Sequence, residues 1–119
     1  MKVTILGCGA SPGVPMLGCD CPVCTSGDPK NTRTRSSILV EADEGTAILV
    51  DSGPDVRQQL LRHRVLRLDA VLYTHAHADH AHGIDELRAL NFLTDGPLDA
   101  WADAETMANL QDRFAYIFA

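Results

Sequence analysis

Thr74-His75-Ala76-His77-Ala78-Asp79-His80-Ala81-His82-Gly83 is the stretch on which the reading of this chain turns. Neutral imidazole nitrogens and a carboxylate oxygen are natural ligands of zinc and similar divalent ions. In an extended segment side chains alternate with period two, so His75 and His77 share a side and can hold one ion. Asp79 and His80 lie slightly further on, where the chain can swing them to a second ion; hydrolytic two-metal sites place their ions about 3.5–4 Å apart. A solvated histidine-rich loop is the bland alternative. Three histidines and an aspartate at these offsets, directly after an apolar run, weigh against it.

Outward from this stretch, Asp69 to Thr74 predicts a buried strand that delivers the chain into the histidines, an arrangement that recurs in layered α/β architectures. Beyond Gly83 the pattern predicts a helix from Ile84 to about Leu93, stopped by Asp95-Gly96-Pro97. A short strand is expected at Leu98 to Ala102, then a last helix capped by Asp103 with Met107, Leu110, Phe114, Ile117 and Phe118 as its apolar stripe. That stripe reaches the final residues without a polar stop, so the chain reads as truncated. Upstream, Val3 to Leu6 predicts a buried strand closed by Gly7-Cys8-Gly9. Ser37 to Ala42 and Ala47 to Asp51 predict a hairpin around Asp43-Glu44-Gly45. Pro54 opens a helix expected to bury Val56, Leu60 and Leu61 and to expose Arg57, Gln58 and Arg62.

The 119 residues are 45% hydrophobic and 22% charged, with a formal net charge of −6. These values fit one core-forming unit and exclude a chain disordered by composition. Without an apolar run near the roughly 20 residues that span a bilayer, no membrane crossing is expected. Met1 to Ala78 is balanced at eight basic and eight acidic residues, whereas Asp79 to Ala119 has eight acids against Arg88 and Arg113 alone. A generic nucleic-acid surface usually shows as a basic patch, so this distribution argues against one. The arginines of the loop and first helix (Arg33, Arg35, Arg57, Arg62, Arg64, Arg67) are read first as a solvated face, as is His63 between Arg62 and Arg64.

Through about Arg35 the chain is rich in glycine and proline, and a loop this long needs something to order it. Cys19-Asp20-Cys21-Pro22-Val23-Cys24 offers three thiols at a spacing that suits metal ligation more than disulfides. No signal peptide is evident, so a cytoplasmic location with reduced thiols is expected, which favours zinc. Tetrahedral zinc wants four ligands. Cys8 is the remaining cysteine, and its first reading is a small buried residue in the glycine turn.

The quoted stretch resembles the HxHxDH signature of the metallo-β-lactamase-fold hydrolases. Gly7-Cys8-Gly9-Ala10-Ser11-Pro12-Gly13-Val14-Pro15, the three clustered cysteines and Leu49-Val50-Asp51-Ser52-Gly53-Pro54-Asp55 add to the likeness. Together they are most similar to the subgroup containing the phosphoribosyl cyclic phosphodiesterase. Ribonuclease Z and the PQQ-biosynthesis protein B stand further off. The resemblance implies an α/β fold: the N-terminal half of an αββα sandwich, a mixed sheet with flanking helices. Residues 1–119 would then form one truncated domain with a zinc-binding loop inserted at 18–35.

By the same resemblance His75 and His77 bind one divalent metal and Asp79 and His80 a second, zinc or manganese. Asp79, metal-bound, would position the attacking hydroxide. Cys19, Cys21 and Cys24 would hold one structural zinc with a histidine beyond Ala119 as fourth ligand. Asp51 would orient the metal-binding histidines; a carboxylate answering a helix dipole is the rival account of that residue. The family does not use the position of His82 as a ligand, which leaves it a place beside the ligands or on the surface. The implied activity is metal-dependent hydrolysis through a metal-bridging hydroxide, on a small cyclic or nucleotide-like phosphodiester as substrate. Rivals are a role like that of ribonuclease Z or the PQQ-biosynthesis protein B, and a catalytically incomplete zinc-binding fragment. Such a fragment would work as a homodimer or with a separate C-terminal half, and would leave sheet edge and apolar surface exposed.

Overall fold

Five short apolar runs line up in chain order to make the sheet. The computed structural model describes residues 1–94 and 96–118. Strands β1 (Lys2–Gly7), β2 (Ser37–Glu41), β3 (Ala47–Val50), β4 (Ala70–Leu72) and β5 (Asp99–Trp101) lie side by side in that order. The pairs β1/β2 and β2/β3 are antiparallel, while β3/β4 and β4/β5 are parallel, so the sheet is mixed. Helix α1 (Val56–Arg62) makes the crossover from β3 to β4. Between β4 and β5 come α2 (Ala78–Ala81), a 3-10 turn over Ile84–Leu87 and α3 (Arg88–Thr94); α4 (Ala104–Arg113) and α5 (Ala115–Phe118) follow β5.

Register lines up apolar residues in rows on both faces of the sheet. On one face Leu39, Leu49 and Val71 stand in a row and are buried with Leu6, Val56, Leu60, Leu68, Tyr73, Ala81, Ile84, Leu87, Leu90 and Leu110 in one hydrophobic cluster. On the opposite face Ile5, Ile38, Val50, Leu72 and Trp101 form a continuous row across all five strands, with Val3, Val40, Ile48 and Ala70 beside it. No described helix covers that row: Ile5 is 65% exposed and Trp101 61%. Alternation alone would have put polar residues there, so the composition of this face is that of a surface meant for a second layer.

Several expectations are corrected here. The run from Val3 to Leu6 forms its strand, but at the sheet edge; only Leu6 of it is buried, and Val3 and Ile5 are exposed. In α1 the buried face carries Val56, Gln59 and Leu60, while Leu61 is 62% exposed. At about 100° per residue, position 61 lies well around the helix from 56, whereas 59 and 56 are neighbours on one face. The amide nitrogen of the buried Gln59 is satisfied, Nε2 donating to Thr34 Oγ1 and to the Arg35 carbonyl, both at 2.9 Å, while its buried Oε1 has no partner among the described residues. The helix expected from Ile84 to Leu93 divides into the 3-10 turn and α3. Of its expected stop, Asp95 lies outside the described residues, as does Ala119 at the chain end.

The final helix breaks at Phe114, whose φ of −122° leaves the helical range, so the stripe turns a corner between α4 and α5. Asp103 caps α4 as expected, its side chain accepting from the Thr106 N–H at 2.7 Å. Leu110 is fully buried, and Phe114, Ile117 and Phe118 pack against the core. No helix among the described residues is long and apolar enough to cross a membrane.

Candidate metal centre

The site is assembled where two strand ends meet. Past β3 the chain runs through Asp51-Ser52-Gly53, and past β4 through Tyr73-Thr74 into the histidines. The two segments are stitched together by main-chain bonds: the Ser52 N–H donates to the His80 carbonyl and the Gly83 N–H to the Ser52 carbonyl, each at 2.8 Å. Such close approach leaves no room for side chains at the crossing. A Cβ on Gly53 would overlap the Asp79 carbonyl, and one on Gly83 would overlap the Gly53 carbonyl. Glycine is therefore required at both positions by contact, not by dihedral angle.

Asp51 occupies the centre of this junction with φ of +64°, in the left-handed region that few residues other than glycine adopt. The turn aims its carboxylate back along β4. Oδ1 accepts from the Thr74 N–H at 2.8 Å; Oδ2 accepts from Thr74 Oγ1 at 2.7 Å and faces His80 Nδ1 at 2.7 Å. Below it, Ser52 Oγ and Tyr73 Oη lie 2.5 Å apart in a fully buried pair. Burial first, and the Asp51 charge in addition, push the Tyr73 phenol up from its ordinary value against the pull of the Ser52 bond, so it stays neutral.

A neutral His80 that gives its Nδ1–H to Asp51 has its lone pair on Nε2, the tautomer a metal ligand needs. That nitrogen lies 3.2 Å from Asp79 Oδ2. Both side chains are mostly buried, at 19% and 17% exposure. The rings of His75 and His77 have centroids 4.6 Å apart and those of His75 and His80 4.1 Å, so the three imidazoles and Asp79 converge on one small region. Ligand atoms of Asp51, His75 and His80 also lie within 4.8 Å of one another. Asp51 already receives three hydrogen bonds, however, and this occupation suits it to orienting His80 better than to ligating. The histidines do not lie along a fully extended strand, as the alternation argument supposed. Only His75 to His77 precede the short helix α2, which carries Asp79 and His80.

His82 is exposed and stands outside that cluster; its Nε2 is 2.9 Å from Arg113 Nη1, and the Phe114 ring meets it edge-on at 5.5 Å. Arg113 and Phe114 are the residues at this site that sequence reading missed. Arg113 stood out there only as one of two cations in an acidic third.

The donor types of the histidine and aspartate group fit borderline divalent ions such as zinc or manganese. A separate group is formed by Cys19, Cys21 and Cys24, whose sulfurs lie within 4.8 Å of one another, a donor set suited to zinc. The Cys24 N–H donates to Cys21 Sγ at 3.4 Å, and the Met16 N–H to Cys24 Sγ at the same distance. The bond from Cys24, with help from the Cys19 and Cys24 thiols, draws the Cys21 thiol down to about 7. Cys8 is not the small buried residue expected: it is exposed, because the glycine turn lifts it to the surface, where Arg33 Nη1 approaches its sulfur at 3.4 Å. Arg35, among the arginines, is committed to Asp55, its Nε 3.0 Å from Oδ2, and Arg67 donates to both Asp69 oxygens.

Comparison with known proteins places this geometry. Residues 46–119 match the model of the beta-lactamase superfamily domain. The chain belongs to this superfamily and has the N-terminal part of the metallo-β-lactamase fold, the fold of a family of hydrolases. In solved structures it is similar to a diphosphatase from the PhnP family, with a TM-score of 0.91 and 44% identity over 98% of this chain and 46% of that one. It is also similar to Zn(2+)-bound PqqB from Methylobacterium extorquens, with a TM-score of 0.79 and 30% identity over 94% of this chain and 40% of that one.

Curated relatives include a Porphyromonas gingivalis protein named octanoyltransferase, 43% identical over 99% of this chain but 24% of the relative. Coenzyme PQQ synthesis protein B of Methylobacterium radiotolerans is 41% identical over 74% of this chain and 34% of the relative. The chain thus spans less than half the length of each of these proteins.

Proposed function

We propose that this chain carries half of the catalytic centre of a metal-dependent phosphodiesterase acting on a small cyclic or nucleotide-like phosphodiester. The observation that supports this most is the convergence of His75, His77, Asp79 and His80 over an Asp51 that presets the His80 tautomer. Likeness to the PhnP-family diphosphatase supports phosphoryl chemistry. Two divalent ions, when bound by His75 and His77 and by Asp79 and His80, would supply Lewis-acid polarisation of phosphoryl oxygens and an activated water.

The chain's own residues do the positioning. Asp51 draws the His80 proton to Nδ1 and keeps Nε2 free; Thr74 holds the carboxylate from the other side; Gly53 and Gly83 let the two loops close on each other. Asp79, in the first turn of α2, contributes the carboxylate oxygen of the set. No serine or cysteine nucleophile is needed. Cys19, Cys21 and Cys24 would hold a structural zinc that orders the long loop, and a reducing cytoplasmic compartment would keep their thiols free for it. The remaining ligands and the cover for the open sheet face would come from the other half of the fold, on a longer chain, a separate polypeptide or a dimer mate.

A second reading is favoured by the relatives named coenzyme PQQ synthesis protein B: the same metal centre with a substrate other than a phosphodiester. The test is elemental analysis of the purified chain together with hydrolysis of bis-p-nitrophenyl phosphate and of a ribose cyclic phosphodiester. Bound metal with turnover of either ester supports the phosphodiesterase. Bound metal without turnover, even after the complementary half is supplied, favours the second reading. A chain that takes up no divalent metal overturns both.

A further inference from the structure

Arg113 closes α4 and reaches across 37 positions in sequence to the loop that carries the metal-ligating residues. Its Nη2 donates to the carbonyl oxygen of Ala76, the residue between His75 and His77. Nη1 lies 2.9 Å from His82 Nε2. A guanidinium has only donors, so His82 Nε2 is the acceptor. Phe114 completes the contact: its ring meets His82 edge-on, with an interplanar angle of 89°, and lies 5.9 Å beneath the guanidinium carbon. The end of α4 therefore grips the loop at two points, one before Asp79 and His80 and one after. Among the described residues the Ala76 carbonyl takes its hydrogen bond from Arg113 and from no other backbone or side-chain group.

We propose that Arg113 is a positioning residue for the metal centre, fixing the spacing of His75 and His77 through the peptide that joins them. The proposal rests on the metal-centre reading given above. An arginine that merely answered the C-terminal dipole of α4 would lie along its own helix; this one turns to a different loop and divides its fork between two of that loop's groups. The planar guanidinium can serve both acceptors at once, whereas a lysine ammonium would have to choose. Removing it frees the Ala76 peptide to rotate, and rotation there changes the distance between the two imidazoles that must meet one ion.

Cobalt(II) titration of the full chain tests this, read by the visible d–d absorption, which reports coordination geometry as well as occupancy. A His77→Ala variant identifies the part of the spectrum due to the histidine site rather than to the cysteines. Arg113→Gln is expected to weaken cobalt binding at that site by about tenfold, the order found for groups that orient metal ligands, and to alter the band shape. Arg113→Lys should recover part of the affinity. Arg88→Gln makes the same charge change in the same acidic third and should leave binding within about twofold. Equal binding by the native, Arg113→Gln and Arg113→Lys chains overturns the role of Arg113 alone, as does an equal loss in Arg88→Gln. Absence of cobalt at the histidine site of the native chain overturns the metal-centre reading and this inference with it.

Discussion

His80 Nδ1 and Asp51 Oδ2 stand 2.7 Å apart across a separation of 29 residues, and that contact decides which imidazole nitrogen is left to face Asp79. Asp51→Asn keeps the volume but turns an amide N–H toward donors that need an acceptor. Divalent-metal affinity is expected to fall about 10- to 100-fold, as measured by chelator competition. An unchanged affinity would mean that the dipole account of Asp51 suffices.

Gly83→Ala is expected to destabilise the fold by at least the ~1–3 kcal/mol typical of overpacking, because its Cβ meets the backbone of Gly53 and the side chain of Val56. Gly27 faces open space without a positive φ, so Gly27→Ala should stay within about 0.5 kcal/mol of native. Urea unfolding of the two variants under one set of conditions makes the comparison.

Leu110→Ala removes a fully buried side chain of α4 that belongs to the same hydrophobic cluster as Leu39, Leu49 and Val71 of the strands. A loss of about 2–5 kcal/mol is expected, seen as a lower midpoint in denaturant with little change in slope. If the loss were under about 0.5 kcal/mol, α4 would not be part of the core.

Asp103 and Asp69 have their carboxyls held below the ordinary range, Asp103 by the Thr106 N–H and Asp69 by the Ala47 N–H and then by Arg67. A depressed folded-state value means that the unfolded chain binds protons first as pH falls. The stabilisation is therefore complete above about pH 4–5 and is lost on acidification through the folded-state values. Thermal midpoints recorded from pH 7 down to pH 3 should drop less steeply in an Asp69→Asn, Asp103→Asn double variant than in the native chain.

Zinc should shield Cys19, Cys21 and Cys24 from alkylation while Cys8, exposed and remote from them in the chain, remains reactive. Peptide mapping after iodoacetamide treatment, with and without zinc, tests the separation. Equal protection of all four would make Cys8 the fourth ligand.

What could be read from the sequence, and what could not, follows from the range of the interactions. The HxHxDH spacing is local, so its ligand chemistry is legible from the chain alone. Asp51 was legible as a residue at a strand end, though its left-handed turn was not. Strand existence followed from apolar runs, but Val3 and Ile5 were misplaced because a run of that kind cannot say how many layers cover it. Leu61 was misjudged, and Gln59 overlooked, because composition was given more weight than the angle around the helix. Arg113 was out of reach for a different reason: nothing within its own helix distinguishes a surface cation from one whose partners lie more than thirty residues upstream.

The row from Ile5 to Trp101 carries a thermodynamic signature of its own. A polypeptide that packs on this face binds the folded sheet and has no counterpart in the unfolded chain, so by mass action it raises the melting temperature in proportion to the logarithm of its free concentration. In the presence of such a polypeptide the stability of this chain would be a property of the mixture it is in. Trp101, the lone tryptophan, lies at the end of that row and should report each binding event by a blue shift of its fluorescence.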